Sequence, residues 1–223
     1  LSKGLLRISG KKPAAYTEKG GAVRNYIVAL YRDSKDRIWA GMGEGMRIYR
    51  QGNPISPTIP VDLQDTAFVG IHEDNNQNIR VSTYDGLLFF ERGKFAEKNI
   101  KTYFRGTSFT TMADDGTYLW VGTFADGLKR ISIKDNSVFS YRVRDGLSSN
   151  SIFQILEDED NRFWLGSDTG IIRVSKKELL EYAEGKTGRI NCVLYGVSDG
   201  MKSTACIYSA LRSRGGEFWF ATK

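Results

Sequence analysis

The chain has 223 residues with 40% apolar and 12% aromatic side chains, enough to fill a core and to exclude intrinsic disorder. Its 24 Gly against 4 Pro point to many tight turns and exclude collagen and Pro-rich linkers. The net charge of +6 comes from Lys and Arg interleaved with Asp and Glu, a solvated surface without a polybasic block for nucleic acid.

In chain order, the sequence opens on Leu1-Ser2-Lys3-Gly4-Leu5-Leu6-Arg7-Ile8, a glycine followed by an apolar strand. Next comes IVALYRDSKDRIWAGM, whose form returns four times as FVGIHEDNNQNIRVST, FTTMADDGTYLWVGT, IFQILEDEDNRFWLGS and IYSALRSRGGEFWFAT. One slot of this repeat holds Trp39, Arg80, Trp120, Trp164 and Trp219. Six residues earlier lie Asp33, Asp74, Asp114, Asp158 and Ser213, whose side chains are expected to close a tight turn by accepting backbone hydrogen bonds. Two residues after the slot lie Gly41, Ser82, Gly122, Gly166 and Ala221, small enough for neighbouring backbones to approach. Then Gly45, Gly86, Gly127 or Gly170 leads a second apolar strand: GMRIY, GLLFF, GLKRI or GIIRV. The spacing of Ser175 and Glu178 predicts a capping box, and Leu179, Tyr182 and Ala183 predict a short inserted helix near 176–184, ended by Gly185. That helix reads as a surface decoration. The chain ends just after a slot, at Phe220-Ala221-Thr222-Lys223.

A period of about 40–45 residues with several short strands in each repeat predicts an all-β fold, a β-propeller of four-stranded blades. Five slot hairpins and five Gly-led strands make five blades if the N- and C-terminal segments share one, giving a single domain over 1–223. The competing reading is a piece of a larger propeller, cut within blades at both ends.

The segment RDGLSSNSIFQILEDEDNRFWLGSDTGIIRVS resembles the repeat of two-component regulator propellers. The likeness rests on Asp145-Gly146-Leu147, Asn150, Asp158 and Phe163-Trp164-Leu165-Gly166, with weaker leads at Gly20-Gly21-Ala22…Asn25 and Asp199-Gly200-Met201. Arg80 and Ser213 depart from the pattern in single copies. The resemblance implies the periplasmic sensor region of a hybrid or classical histidine kinase, with kinase modules elsewhere in the full protein. It also implies an oligosaccharide or other small-molecule ligand, membrane contact only through segments outside this chain, and a homodimer as one arrangement. Propellers of that family commonly have seven blades, two more than the slots counted here.

No catalytic set is expected. His72 is the sole histidine and occupies a strand slot of the repeat. The recurring aspartates are spread around a ring and do not converge as paired carboxylates must. No metal ligand spacing and no cofactor motif is present, and Cys192 and Cys206 can form one bond or none. Binding residues are expected instead on loops that open on one face and differ between repeats. They are Arg24, Asn25, Glu44, Tyr84, Asp85, Phe124, Asp126, Asn150, Asp168 and Tyr208, joined by Met42, Thr83, Thr107, Ser108, Ser149, Lys202 and Thr204. Aromatic rings beside hydrogen-bonding groups suit sugars. Arg7, Arg130 and Arg173 share a slot and make a partial ring of positive charge, read chiefly as a solvated strand face. The expectation is a non-enzymatic sensor domain; a protein-binding scaffold and a propeller lyase or glycan hydrolase are the alternatives.

Overall fold

The computed structural model describes residues 5–9, 12–16, 27–43, 45–51, 53–55, 67–74, 76–83, 86–91, 93–95, 108–213 and 215–223. For 5–9, 12–16, 69 and 207–209 only the backbone is described. The chain divides into two compact units, Leu1–Gly106 and Thr107–Lys223.

The first unit holds a hairpin of β1 (Leu5–Ser9) and β2 (Lys12–Tyr16) and two four-stranded sheets. One sheet runs in chain order through β3 (Ile27–Arg32), β4 (Arg37–Met42), β5 (Met46–Arg50) and β6 (Asn53–Ile55). The other runs through β7 (Phe68–Glu73), β8 (Ile79–Thr83), β9 (Gly86–Glu91) and β10 (Lys94–Phe95).

The second unit repeats the plan with β11 (Phe109–Asp114), β12 (Tyr118–Thr123), β13 (Leu128–Ser132) and β14 (Val138–Tyr141). A further sheet has β15 (Ile152–Glu157), β16 (Arg162–Ser167), β17 (Ile171–Ser175) and β18 (Val193–Tyr195). The unit ends with a hairpin of β19 (Cys206–Arg212) and β20 (Phe218–Thr222). Every ladder within these sheets is antiparallel and joins consecutive strands, the construction of a propeller blade. The first strand of each slot hairpin opens with a register shift, as between Ile27 and Ala29, Phe68 and Gly70, or Ile152 and Gln154. Such a bulge bends the strand where the sheet begins.

The slot tryptophans Trp39, Trp120 and Trp164 pack against other rings, whereas Trp219 is 61% exposed. Trp39 and Trp120 are fully buried, and each meets a phenylalanine edge-on at 4.9 Å, Phe90 and Phe163 respectively. The indoles of Trp39 and Trp164 donate to the aspartate six residues earlier: Trp39 Nε1 to Asp33 (2.7 Å) and Trp164 Nε1 to Asp158 (2.8 Å). The same carboxylates accept backbone N–H groups of the turn, so one side chain ties turn to core.

Copy three departs from the ungapped alignment. Trp39, Arg80, Trp164 and Trp219 face Tyr31, His72, Leu156 and Leu211, but Trp120 faces Ala113, one residue off the expected Met112. The turn is one residue tighter, closed by Asp115 N–H to Tyr118 O (3.2 Å). Asp115 therefore replaces Asp114 as acceptor of Trp120 Nε1 (2.8 Å) and of two turn amides.

In the second blade, cation and ring exchange places. Arg80, 4% exposed, lies opposite Phe89 with its guanidinium 4.5 Å from that ring, where blade four sets Trp164 opposite Arg173. Asp74 (2.9 Å) and Glu91 (3.4 Å) neutralise it.

The small slot lets successive blades touch. A Cβ on Gly41 would stand 2.4 Å from Phe68 O, and one on Gly122 would stand 2.6 Å from Ile152 O. Gly122→Val is thus expected to force β12 and β15 apart and cost about 1–3 kcal/mol. Gly188→Ala, where nothing lies within 4 Å, is the control expected to keep the wild-type denaturant midpoint.

The inserted helix α1 (Lys176–Ala183) forms where predicted, and Gly185 ends it at φ +73°. The capping box does not form. Ser175 makes no side-chain cap, the Lys176 N–H bonds Asn161 O (3.0 Å), and Glu178 accepts both nitrogens of Asn191 at 2.7 Å. Nor is α1 a mere decoration. Leu179 is fully buried, Tyr182 packs edge-on to Phe139 of β14, and Lys176 pairs with Asp115 (3.0 Å) and Glu157 (2.9 Å). The helix clasps the two four-stranded blades of its unit.

Candidate functional site

In the second unit, the loops that follow β12 and β16 are each closed by a hydroxyl. Thr123 Oγ1 donates to Gly127 O (2.8 Å) and Ser167 Oγ to Gly170 O (2.7 Å); both side chains are fully buried. Gly127 and Gly170 sit at φ +77° and +139°, and a Cβ there would meet Tyr141 O at 1.9 Å or Tyr195 O at 2.2 Å. These turns need glycine for both reasons.

On that frame the second unit gathers four of the expected binding residues. Phe124 N–H bonds Ser108 O (3.0 Å), its carbonyl accepts Ser151 Oγ (2.5 Å), and its ring is 53% exposed beside Phe153 (6.0 Å). Asn150 O accepts Gly127 N–H (2.8 Å), and its side-chain oxygen accepts Val143 N–H (2.9 Å). Asp168 accepts Ser149 Oγ (2.5 Å), which in turn accepts Ser151 N–H (2.8 Å). Asp126 receives Arg142 Nε and the buried Lys129 Nζ on separate oxygens. Burial alone would raise the Asp126 carboxyl; the bonds from Arg142 and Lys129 outweigh it and hold the group below the usual carboxylate range.

The loops around 124–127, 142–151 and 168 are thus one hydrogen-bonded network. Lys202 is exposed and Thr204 half-buried on the loop before β19. Met42 (5% exposed) and Thr83 (0%) are buried, which removes them from the loop surface. Of Tyr208 only the backbone is described; Arg24, Asn25, Glu44, Tyr84, Asp85 and Thr107 lie outside the described residues.

Asp145 carries more than its place in the repeat lead suggested. Its carboxylate accepts Arg142 N–H and Tyr182 OH, both at 2.8 Å, linking the loop to α1. Asp199 repeats the first of these bonds with Gly196 N–H (2.9 Å). The recurring Asp-Gly pair was the available signal. Arg130 and Arg173 are half-buried and lie over rings, 4.5 Å from Tyr118 and 5.6 Å from Trp164. Both cysteines are free thiols, and burial pushes the Cys206 thiol up. Among the described residues no cluster of three His, Cys, Asp or Glu is placed to hold a metal, and no helix is long and apolar enough to cross a membrane.

Chemically, the cluster sets a half-exposed aromatic side chain beside carboxylates, hydroxyls and amides, groups able to stack on an apolar ring face and to bond hydroxyls.

Blades of this build make the chain a β-propeller protein. Residues 146–169 match the family model described as Two component regulator propeller, so the blade built on β15 and β16 carries that repeat. No curated protein matches the chain. Among solved structures, it is similar to the extracellular domain assigned to a hybrid two component system of B. thetaiotaomicron, with TM-score 0.70 and 20% identity, covering 90% of this chain and 26% of that one. A second extracellular domain from the same organism, assigned to a one component system, gives TM-score 0.70 and 18% identity over 89% of this chain and 25% of that one. PorZ, a surface component of the type-IX secretion system of Porphyromonas gingivalis, gives 0.71 and 15% over 99% of this chain and 35% of that one. The chain spans about a quarter to a third of the length of these proteins.

Proposed function

We propose that the chain is a ligand-sensing propeller region from the extracytoplasmic, periplasmic part of a bacterial two-component signalling protein. It binds an oligosaccharide and performs no catalysis. The observation that carries this reading is the exposed Phe124 ring set in a network of loops that joins two blades through Asn150, Ser151 and Asp168. The repeat match and the extracellular two-component domains among the similar structures support the signalling context. Ligand contact at these loops changes how the two blades are tied, and kinase modules elsewhere in the full protein read that change.

Calorimetric titration against a panel of oligosaccharides tests the reading. Binding of at least one sugar is expected, with affinity reduced about tenfold in Phe124→Ala, the size of one lost stacking contact. Absence of heat with every sugar, together with a protein captured on the same loops, favours the scaffold reading instead.

A further inference from the structure

The backbone role of Arg142 needs no side chain. Its N–H bonds Asp145 (2.8 Å), and in the next copy of the repeat Gly196 N–H makes the same bond to Asp199 (2.9 Å). The guanidinium is surplus to the loop, yet it is held in place. Arg142 Nε donates to Asp126 Oδ1, and Asp126 sits on the Thr123–Gly127 turn that also carries Phe124. Lys129 Nζ takes the other oxygen of the same carboxylate.

Two side chains on these loops keep hydrogen-bonding capacity to spare, and both are donors. Nη1 and Nη2 of Arg142 have no partner among the described residues, and the side chain is 29% exposed. Asn150 accepts Val143 N–H with its side-chain oxygen (2.9 Å), which fixes the amide and leaves Nδ2 as its free end. The acceptors around them are consumed. Asp126 serves two cations, Asp145 serves Arg142 N–H and Tyr182 OH, and Phe124 O serves Ser151 Oγ. Asp168 is the exception: one of its oxygens holds Ser149 Oγ and the other is open. Arg144, with its side chain 74% exposed, adds a further cation to the 142–151 loop.

We infer that the ligand of these loops is an acidic oligosaccharide, and that Arg142 and Asn150 select it by binding the carboxylate of a uronic acid unit. The inference rests on the oligosaccharide reading above and names the class of sugar. Two parallel guanidinium N–H groups match the two oxygens of a carboxylate, a fit that a point charge does not reproduce. Asp126 grips Nε and so orients the plane of that fork, while Nδ2 of Asn150 adds a third donor. Phe124 stacks on the apolar face of a sugar ring, and the open oxygen of Asp168 accepts a hydroxyl.

The test titrates the full chain by calorimetry with short oligosaccharides of galacturonic, glucuronic and mannuronic acid, each also supplied as its neutral methyl ester. At least one acid is expected to bind about tenfold more tightly than its ester, the size of one hydrogen bond to a charged group. Arg142→Gln is expected to bring that ratio to about one, and Arg142→Lys, which keeps the charge without the fork, to leave a smaller part of it. Asn150→Asp keeps the acceptor for Val143 N–H and turns the free donor into an acceptor. It is expected to lower the ratio too, and it reads the same contact should Arg142→Gln fail to fold. Acids that bind no more tightly than their esters, heat with neutral sugars alone, or a ratio that survives both substitutions overturns the inference and leaves a neutral-sugar sensor standing. Binding by no sugar, acidic or neutral, removes the oligosaccharide reading itself and this inference with it.

Discussion

Trp120→Ala is expected to lower the unfolding free energy by about 3–5 kcal/mol, the largest loss of any single truncation in the second unit. The ring is fully buried among Phe163, Tyr141 and Tyr118, so truncation leaves a cavity lined by rigid aromatic groups that collapse poorly. It also removes the indole donor from Asp115, a largely shielded carboxylate that then relies on Lys176 and the turn amides. Trp120→Phe separates the two terms. It refills most of the cavity but leaves the acceptor short of one bond, with an expected loss of about 1–2 kcal/mol. Urea denaturation followed by far-ultraviolet circular dichroism measures both. Equal losses in the two variants would mean that the hydrogen bond, and not the volume, dominates this slot.

The second large effect is at Arg80. Arg80→Trp is expected to cost about 1–3 kcal/mol, because it fills the slot and offers Asp74 an indole donor but removes one partner of a buried ion pair. The native arrangement leaves Arg80 Nε buried without a hydrogen-bond partner. Asp74 already accepts the turn amides of Asn76 and Asn78, so an indole donor meets the geometry that Asp33 offers Trp39. Arg80→Ala, by contrast, leaves Asp74 without its buried cation, at a cost of about 3–5 kcal/mol. Thermal melts of the two variants are expected to diverge. If Arg80→Trp melts as low as Arg80→Ala, Phe89 and Glu91 have shaped this slot for a cation, and the blade is not interchangeable with its neighbours.

The order of strands was legible because each slot carries a backbone or packing requirement that only a few residues meet. Tryptophan between blades, glycine at a positive φ and a small residue at a close approach are such cases, and Trp39, Gly127 and Gly122 occupy them. Length changes within a turn were not legible. Asp114 accepts a turn amide as expected, from Gly116, but the ungapped alignment did not show that Asp115 takes the indole and the amides of Thr117 and Tyr118. The capping box at Ser175 also misled. A local pattern predicts local bonds, whereas Glu178 found Asn191, thirteen residues away. For the candidate site, sequence variation between repeats picked out Phe124, Asp126, Asn150 and Asp168, which adjoining loops then bring into one network. It missed Lys129 and Arg142, because pairing partners sixteen or fewer residues away carry no repeat signature of their own.

The adjacent aspartates of the third inner turn have a wider consequence. Asp115 serves the indole only because the hairpin lost a residue, and Asp114 still bonds the Gly116 amide (2.7 Å) beside it. A turn with two acids in tandem is tolerant of indels. It can shorten by one residue and keep its latch on the core, so blades of unequal length remain mechanically alike.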